Sequence, residues 1–286
     1  MPRWASTSTA RRSPSWSSSA SRRSGERRVI VWAAIAPHGS PVFEQPQGPT
    51  RKGMEELGRR LAAANVEAVI VVTPHGTHID GHFGVVRAAT LSEHGSQFAT
   101  GEPLYAGPGA PELADGCVRQ LQADGLPALG LTFGTTVAGD SEMPIDWGAG
   151  IPLTFLRAPA VVVTPCRTLS NEQHVRAGAS LARATGERRI AFVASADHGH
   201  GHATDGPYGF SEHSKPYDEE IQRLVRANRL DELVSRDTSF AYDAKADSFW
   251  QLLMLYGAIG RGFEPELLSY EAPTYFGMLT AAYTRK

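Results

Sequence analysis

Short apolar runs and amphipathic stretches alternate along this chain. Residues 29–36 (VIVWAAIA), 67–73 (EAVIVVT), 160–165 (AVVVTP) and 190–195 (IAFVAS) are brief, nearly continuous hydrophobic runs rich in β-branched and small residues. That is the pattern of strands buried on both faces. Residues 83–90 and 129–136 are weaker strand candidates. Between them the apolar positions fall at helical spacing. Met54, Leu57, Leu61 and Ala64 do so in 50–65, and Leu113, Cys117 and Leu121 in 111–124. Ala177 and Leu181 mark 171–185, and Ile221, Leu224, Val225 and Leu233 mark one long helix over 217–234. Residues 250–259 read as an apolar helix closed by Gly260 and Gly262. Residues 91–111 look irregular from their Gly and Pro content, and 145–153 read as a turn-rich element. The alternation predicts an α/β fold: a central, largely parallel or mixed sheet with helices on both faces. Ligands of such sheets collect at the carboxyl ends of the strands, so the active site is expected at that edge. No repeat of fixed period appears, and 29–286 read as a single domain.

Residues 1–28 stand apart. Nine serines and seven arginines crowd them, with Glu26 the only acid. No apolar stretch makes this a secretory signal. The composition resembles a transit peptide, and the expectation is a disordered extension or a start codon placed too far upstream. The rest is ordinary for a globular protein, with 41% hydrophobic and 20% charged residues. A net charge of −2 and a pI near 6.6 argue against a nucleic-acid partner. No apolar run approaches a membrane span. Two cysteines, Cys117 and Cys166, exclude a zinc finger or disulfide scaffold and fit a cytoplasmic setting.

The chemistry gathers where strands end. His38 and His75 each follow a proline at the end of an apolar run, and each precedes a glycine. Imidazole is a good ligand for iron, zinc and copper, and two histidines in one Pro-His-Gly frame at one sheet edge point to a shared metal. The run 190–195 leads into Asp197, His198, His200 and His202, with glycines between the histidines. A histidine beside a metal-bound substrate can take and return a proton near neutral pH; a His-rich metal loop is the other reading of this motif. Two histidines and a carboxylate would leave positions open for oxygen and substrate. The candidate acids are Asp247, Asp243, Glu264 and Glu266, although Asp247 could instead cap the helix that follows. His78 and His82 belong to the loop after His75, whereas His94, His174 and His213 carry no partner signal and are placed at the surface. No GxSxG, P-loop or GxGxxG is present.

Five segments together resemble the type III (LigB-like) extradiol ring-cleavage dioxygenases. They are APHGSPVF ending at Phe43, VVTPHGTH at 71–78, IDWGAGIPL at 145–153, SADHGHGHATDGPYGF at 195–210 and DSFWQLLMLYGA at 247–258. The resemblance implies a non-haem Fe(II) enzyme, with zinc as the alternative metal, that opens a catechol-type ring with O2. It implies His38 and His75 as metal ligands and His200 as the acid/base. The family's third ligand is usually a glutamate just before a Trp- and Leu-rich C-terminal helix. Here Asp247 is the nearest acid, about one residue out of register. Trp147 stands where many relatives carry a substrate-touching histidine, which points away from protocatechuate and toward another phenol. His78, Trp147, His198 and His202 are the expected substrate-binding set, and Gly199 and Gly201 are read as letting their loop adjust. Some relatives are homo-oligomers or use a small partner subunit, and both are expectations here. The competing readings are a Memo-like binding module and a zinc-bound relative with another activity.

Overall fold

Strands that are apolar on both faces need cover on both, and the chain supplies it from opposite sides. The computed structural model describes residues 30–93 and 104–286, so the extension at 1–28 and His94 lie outside the described residues. Four parallel strands form the centre: β1 (Ile30–Ala36), β2 (Ala68–Val72), β8 (Ala160–Thr164) and β9 (Ile190–Ser195), in the order β1-β9-β2-β8. β3 (Phe83–Val86) runs antiparallel to β8 and pairs in parallel with β6 (Ala128–Leu131). On the far side β11 (Met278–Arg285) pairs antiparallel with β1, and β10 (Phe263–Glu271) with β11. The sheet is therefore mixed around a parallel centre, the second of the two forms expected from the alternating pattern.

Side chains alternate between the two faces. Ile70, Val72, Val161, Val163 and Phe192 point into one core, shared with α3 (Pro111–Ala123), α5 (Asn171–Ala184), α6 (Ser214–Arg226) and α8 (Phe249–Ile259). Val69, Val71, Val162 and Val193 point into the other, shared with the short α1 (Pro41–Glu44), α2 (Pro49–Ala63) and α4 (Trp147–Leu156). Helices α5 and α8 lie unusually close. A Cβ on Gly178 would stand 1.9 Å from the Met254 carbonyl oxygen, and one on Gly257 would stand 2.0 Å from that of Val175.

Four expectations change. Residues 91–111 are not irregular throughout: β4 (Thr90–Glu93), β5 (Tyr105–Pro108) and β7 (Glu142–Pro144) form a small second sheet. The turn-rich 145–153 is mostly helix α4, which holds Pro152 in its interior. The long helix over 217–234 is broken. It ends at Arg226, Asn228 takes the left-handed conformation (φ 55°), and a 3-10 turn follows at Leu230–Ser235. The hairpin β10–β11 has no counterpart in the hydrophobic reading, because β10 is an edge strand with charged outward positions such as Glu264 and Glu266.

Candidate metal centre

Three central strands end in register and run directly into the site. Ala36 of β1 pairs with Ser195 of β9, and Val72 of β2 pairs with Ala194. β9 lies between the other two, so His38 and His75 emerge on either side of Asp197. The fourth contribution comes from far along the chain. Asp247 sits between α7 (Ser239–Asp243) and α8, one residue before Ser248, the N-cap position of α8. Its carboxylate is not used as a helix cap: Oδ1 accepts from the Asp197 amide at 3.1 Å.

The side chains converge on one point. His38 Nε2 and His75 Nε2 stand 3.1 Å apart, and Asp247 Oδ2 lies 3.4 Å from the first and 3.3 Å from the second. At metal–ligand bonds of about 2.1 Å, adjacent ligands at right angles are about 3 Å apart, so this triangle has the dimensions of one face of an octahedron. Asp247 Oδ2 is buried without a hydrogen-bond partner, as a ligand oxygen aimed at an ion would be. His38, His75 and Asp247 are also the one group of metal-ligating residues found close enough together among the described residues. The other acids considered lie elsewhere. Asp243 is exposed, and Glu264 and Glu266 project from the outer edge strand, the latter toward Arg60.

Electrostatics favour a cation at this point. Burial opposes a charge on His38, but the Asp197 and Asp247 carboxylates outweigh it and raise its pKa to about 9. Burial pushes the Asp247 carboxyl up, yet His38 and His75 hold it well below the usual range. Asp197 moves the other way, raised by burial first and by the Asp247 charge as well. The cluster thus attracts positive charge, and a divalent ion fits the donor set. Behind His38, Nδ1 donates to Ser195 Oγ at 2.9 Å, and Ser195 in turn donates to the Gly148 carbonyl.

His200 completes the front of the site. Its Nδ1–H donates to the His198 carbonyl at 2.6 Å, which leaves Nε2 facing the cluster, 3.9 Å from Asp247 Oδ2. Phe276 stacks on this ring at 5.3 Å between centroids, and Tyr208 meets it edge-on at 5.9 Å. Trp147 stacks on His75 at 4.5 Å. A cavity of about 220 Å³ opens beside His75, lined by Gly76, Thr77, Ile145 and Asp146 among others.

The loop that carries His200 is held at every amide. His198 N donates to Gly277 O, Gly199 N to Asp218 Oδ1, His200 N to Ala244 O, Gly201 N to Ser214 Oγ and His202 N to Tyr275 O. The glycines serve close approach rather than adjustment. A Cβ on Gly199 would lie 2.7 Å from Ser214, and one on Gly201 2.6 Å from Ser211. Two histidines expected to bind substrate are placed differently. His198 is fully buried, with Nδ1 on Ser248 Oγ at 3.0 Å and Nε2 without a hydrogen-bond partner. His202 Nε2 is taken by the buried Asp218 at 2.8 Å, not by the pocket. His78 is exposed on the loop beyond His75. His174, expected at the surface, is fully buried and donates from Nδ1 to the Ser170 carbonyl at 2.8 Å. The sequence does not single out Asp218, Tyr208, Tyr275 or Phe276, because single residues in polar segments carry no periodic signal. The pairing of Ser195 with His38 depends on strand register that only the fold reveals.

Residues 32–280 match the family described as the catalytic LigB subunit of aromatic ring-opening dioxygenase, and the chain belongs to that family. Among individual proteins it is similar to Protein CA_C1420 of Clostridium acetobutylicum, at 24% identity over 229 residues. That match takes in 78% of this chain and 49% of the relative, so the chain spans about half that protein's length. A similar fold is seen in the crystal structure of the uncharacterized protein JW3007 from Escherichia coli K12. The TM-score is 0.60 at 18% identity, covering 88% of this chain and 99% of that one. No helix among the described residues is long and apolar enough to cross a membrane.

Proposed function

We propose that this protein is a non-haem Fe(II)-dependent extradiol dioxygenase that opens a catechol-type ring with O2. One observation carries the reading: two imidazole nitrogens and a carboxylate oxygen form a triangle with edges of 3.1–3.4 Å, and a third histidine faces it without being part of it. His38, His75 and Asp247 would hold the metal, with His200 facing Asp247 and Trp147 stacked on His75 beside it. When bound, the ion supplies a site where a catechol and dioxygen meet and through which electron density passes between them.

The chain's own residues account for orientation and proton transfer. His200 donates from Nδ1 to a backbone carbonyl, so the lone pair of its neutral ring is on Nε2, which faces the centre. It accepts a proton from a substrate hydroxyl there and returns it to an oxygen of the product. Phe276 and Tyr208 hold that ring in place and keep bulk water from it. Trp147 fixes His75 and offers an apolar wall to a planar substrate.

The test is anaerobic loading with Fe(II), followed by oxygen uptake against a panel of catechols. Stoichiometric uptake with a ring-opened, strongly absorbing product is expected. A protein that binds zinc as purified and consumes no oxygen with any catechol after iron loading would overturn the proposal.

A further inference from the structure

Helix α4 has a proline, Pro152, as its sixth residue, where a missing amide breaks a hydrogen bond. The amide of residue 152 would ordinarily donate to the carbonyl of residue 148. Because residue 152 is proline, the Gly148 carbonyl loses that donor. The Ser195 hydroxyl donates to it instead, from the end of β9. A serine hydroxyl has one proton. With that proton on Gly148, Ser195 Oγ meets His38 Nδ1, 2.9 Å away, as an acceptor only. The Nδ1 position of His38 must then carry the hydrogen, and its Nε2 lone pair is turned to His75 and Asp247.

We propose that Pro152 and Ser195 are positioning residues for the metal centre. By leaving the Gly148 carbonyl open to Ser195, Pro152 orients the hydroxyl that holds His38 in its ligating tautomer. The inference rests on the reading of His38 as a ligand, but not on the reaction performed there. The surroundings leave the hydroxyl little choice. Ser195 and His38 are both buried, and Gly148 is packed so tightly that a Cβ would stand 2.5 Å from Thr73 Oγ1 and 3.2 Å from His75 Cδ2. The start of α4 therefore bears on both histidines at once, and a helix-breaking residue in its second turn acts on the metal site without touching it.

Zinc titration calorimetry on the metal-free full chain tests this without substrate or oxygen. Ser195→Ala should weaken Zn(II) binding by roughly 10–100-fold, the usual effect of removing an outer partner of a ligating histidine. Pro152→Ala restores the helix donor, which competes for the Gly148 carbonyl. It should weaken Zn(II) binding in the same direction, while the metal-free unfolding midpoint stays at or above that of the wild type. The double variant should bind Zn(II) no more weakly than Ser195→Ala alone, since both changes cut one chain. Additive losses, or unchanged affinity in Ser195→Ala, would overturn the relay. Zinc binding by the wild type without oxygen uptake after iron loading would defeat only the dioxygenase reading. A wild type that binds no divalent metal defeats both.

Discussion

At the scale of single residues, the proposed reading places ligation and proton transfer on different histidines. His38 is buried at the apex of the cluster, and His200 faces it from the front. His38→Ala should therefore abolish stoichiometric metal binding. His200→Ala should retain the metal and lower kcat by about 10²–10⁴-fold, the range for a lost general acid/base. Metal analysis and oxygen uptake on the same samples separate the two. Loss of metal in His200→Ala would reverse the assignment. His38 and His75 were legible because each closes an apolar run in the same Pro-His-Gly frame. Asp247 was only one candidate of four, since nothing local distinguishes an acid before a helix from a cap. Its Oδ1 on the Asp197 amide and its unpartnered Oδ2 favour the ligand reading over the cap. His174 misled for the opposite reason: an isolated histidine on an amphipathic helix looks exposed until the turn N-terminal to it offers the Ser170 carbonyl.

At the scale of elements, the His-Gly-His-Gly-His loop and helix pair α5–α8 illustrate two uses of glycine. The loop is anchored through Asp218, which accepts from the Gly199 amide, His202 Nε2 and Tyr270 Oη at 2.7–2.8 Å. Asp218→Asn replaces one acceptor with a donor and should unfasten the loop. Hydrogen exchange at residues 199–202 is expected to speed up by about tenfold or more, roughly the loss of one net hydrogen bond. Zn(II) affinity should stay within a few-fold of wild type, because no ligand belongs to this network. Unchanged exchange would show that the loop holds itself. In the helix pair, Gly178→Ala drives a methyl into the Met254 carbonyl and should cost about 1–3 kcal/mol in urea unfolding. The buried strands and most helices were legible from periodicity alone. Helix α4 was not, because its two glycines and Pro152 are the vocabulary of a turn. Its start is set instead by tertiary contacts: the Asp146 cap accepts from Thr73 Oγ1 as well as from the Ala149 amide.

At the scale of the whole molecule, the buried histidine outside the site shapes acid stability. Burial lowers the His174 pKa from 6.5 to about 4. Between these values the unfolded chain binds a proton that the folded chain refuses. Stability is then fully present above pH 6.5 and falls as the pH drops toward 4, by about 3 kcal/mol in all. Urea unfolding of the metal-free protein at pH 7 and pH 4 should show this loss, and His174→Asn should remove that share of it. An unaltered pH dependence in the variant would assign the acid sensitivity elsewhere. The order of strands has a consequence of another kind, in time rather than in energy. β1 is made first, yet both its neighbours, β9 and β11, come from the last third of the chain. During synthesis β1 has no partner until β9 emerges, and its other edge stays open until β11 is made. His38 cannot meet Asp247 until residue 247 has been made, so the cluster is assembled only after most of the described strands are in place. On the proposed reading, metal capture is thereby a late event in synthesis.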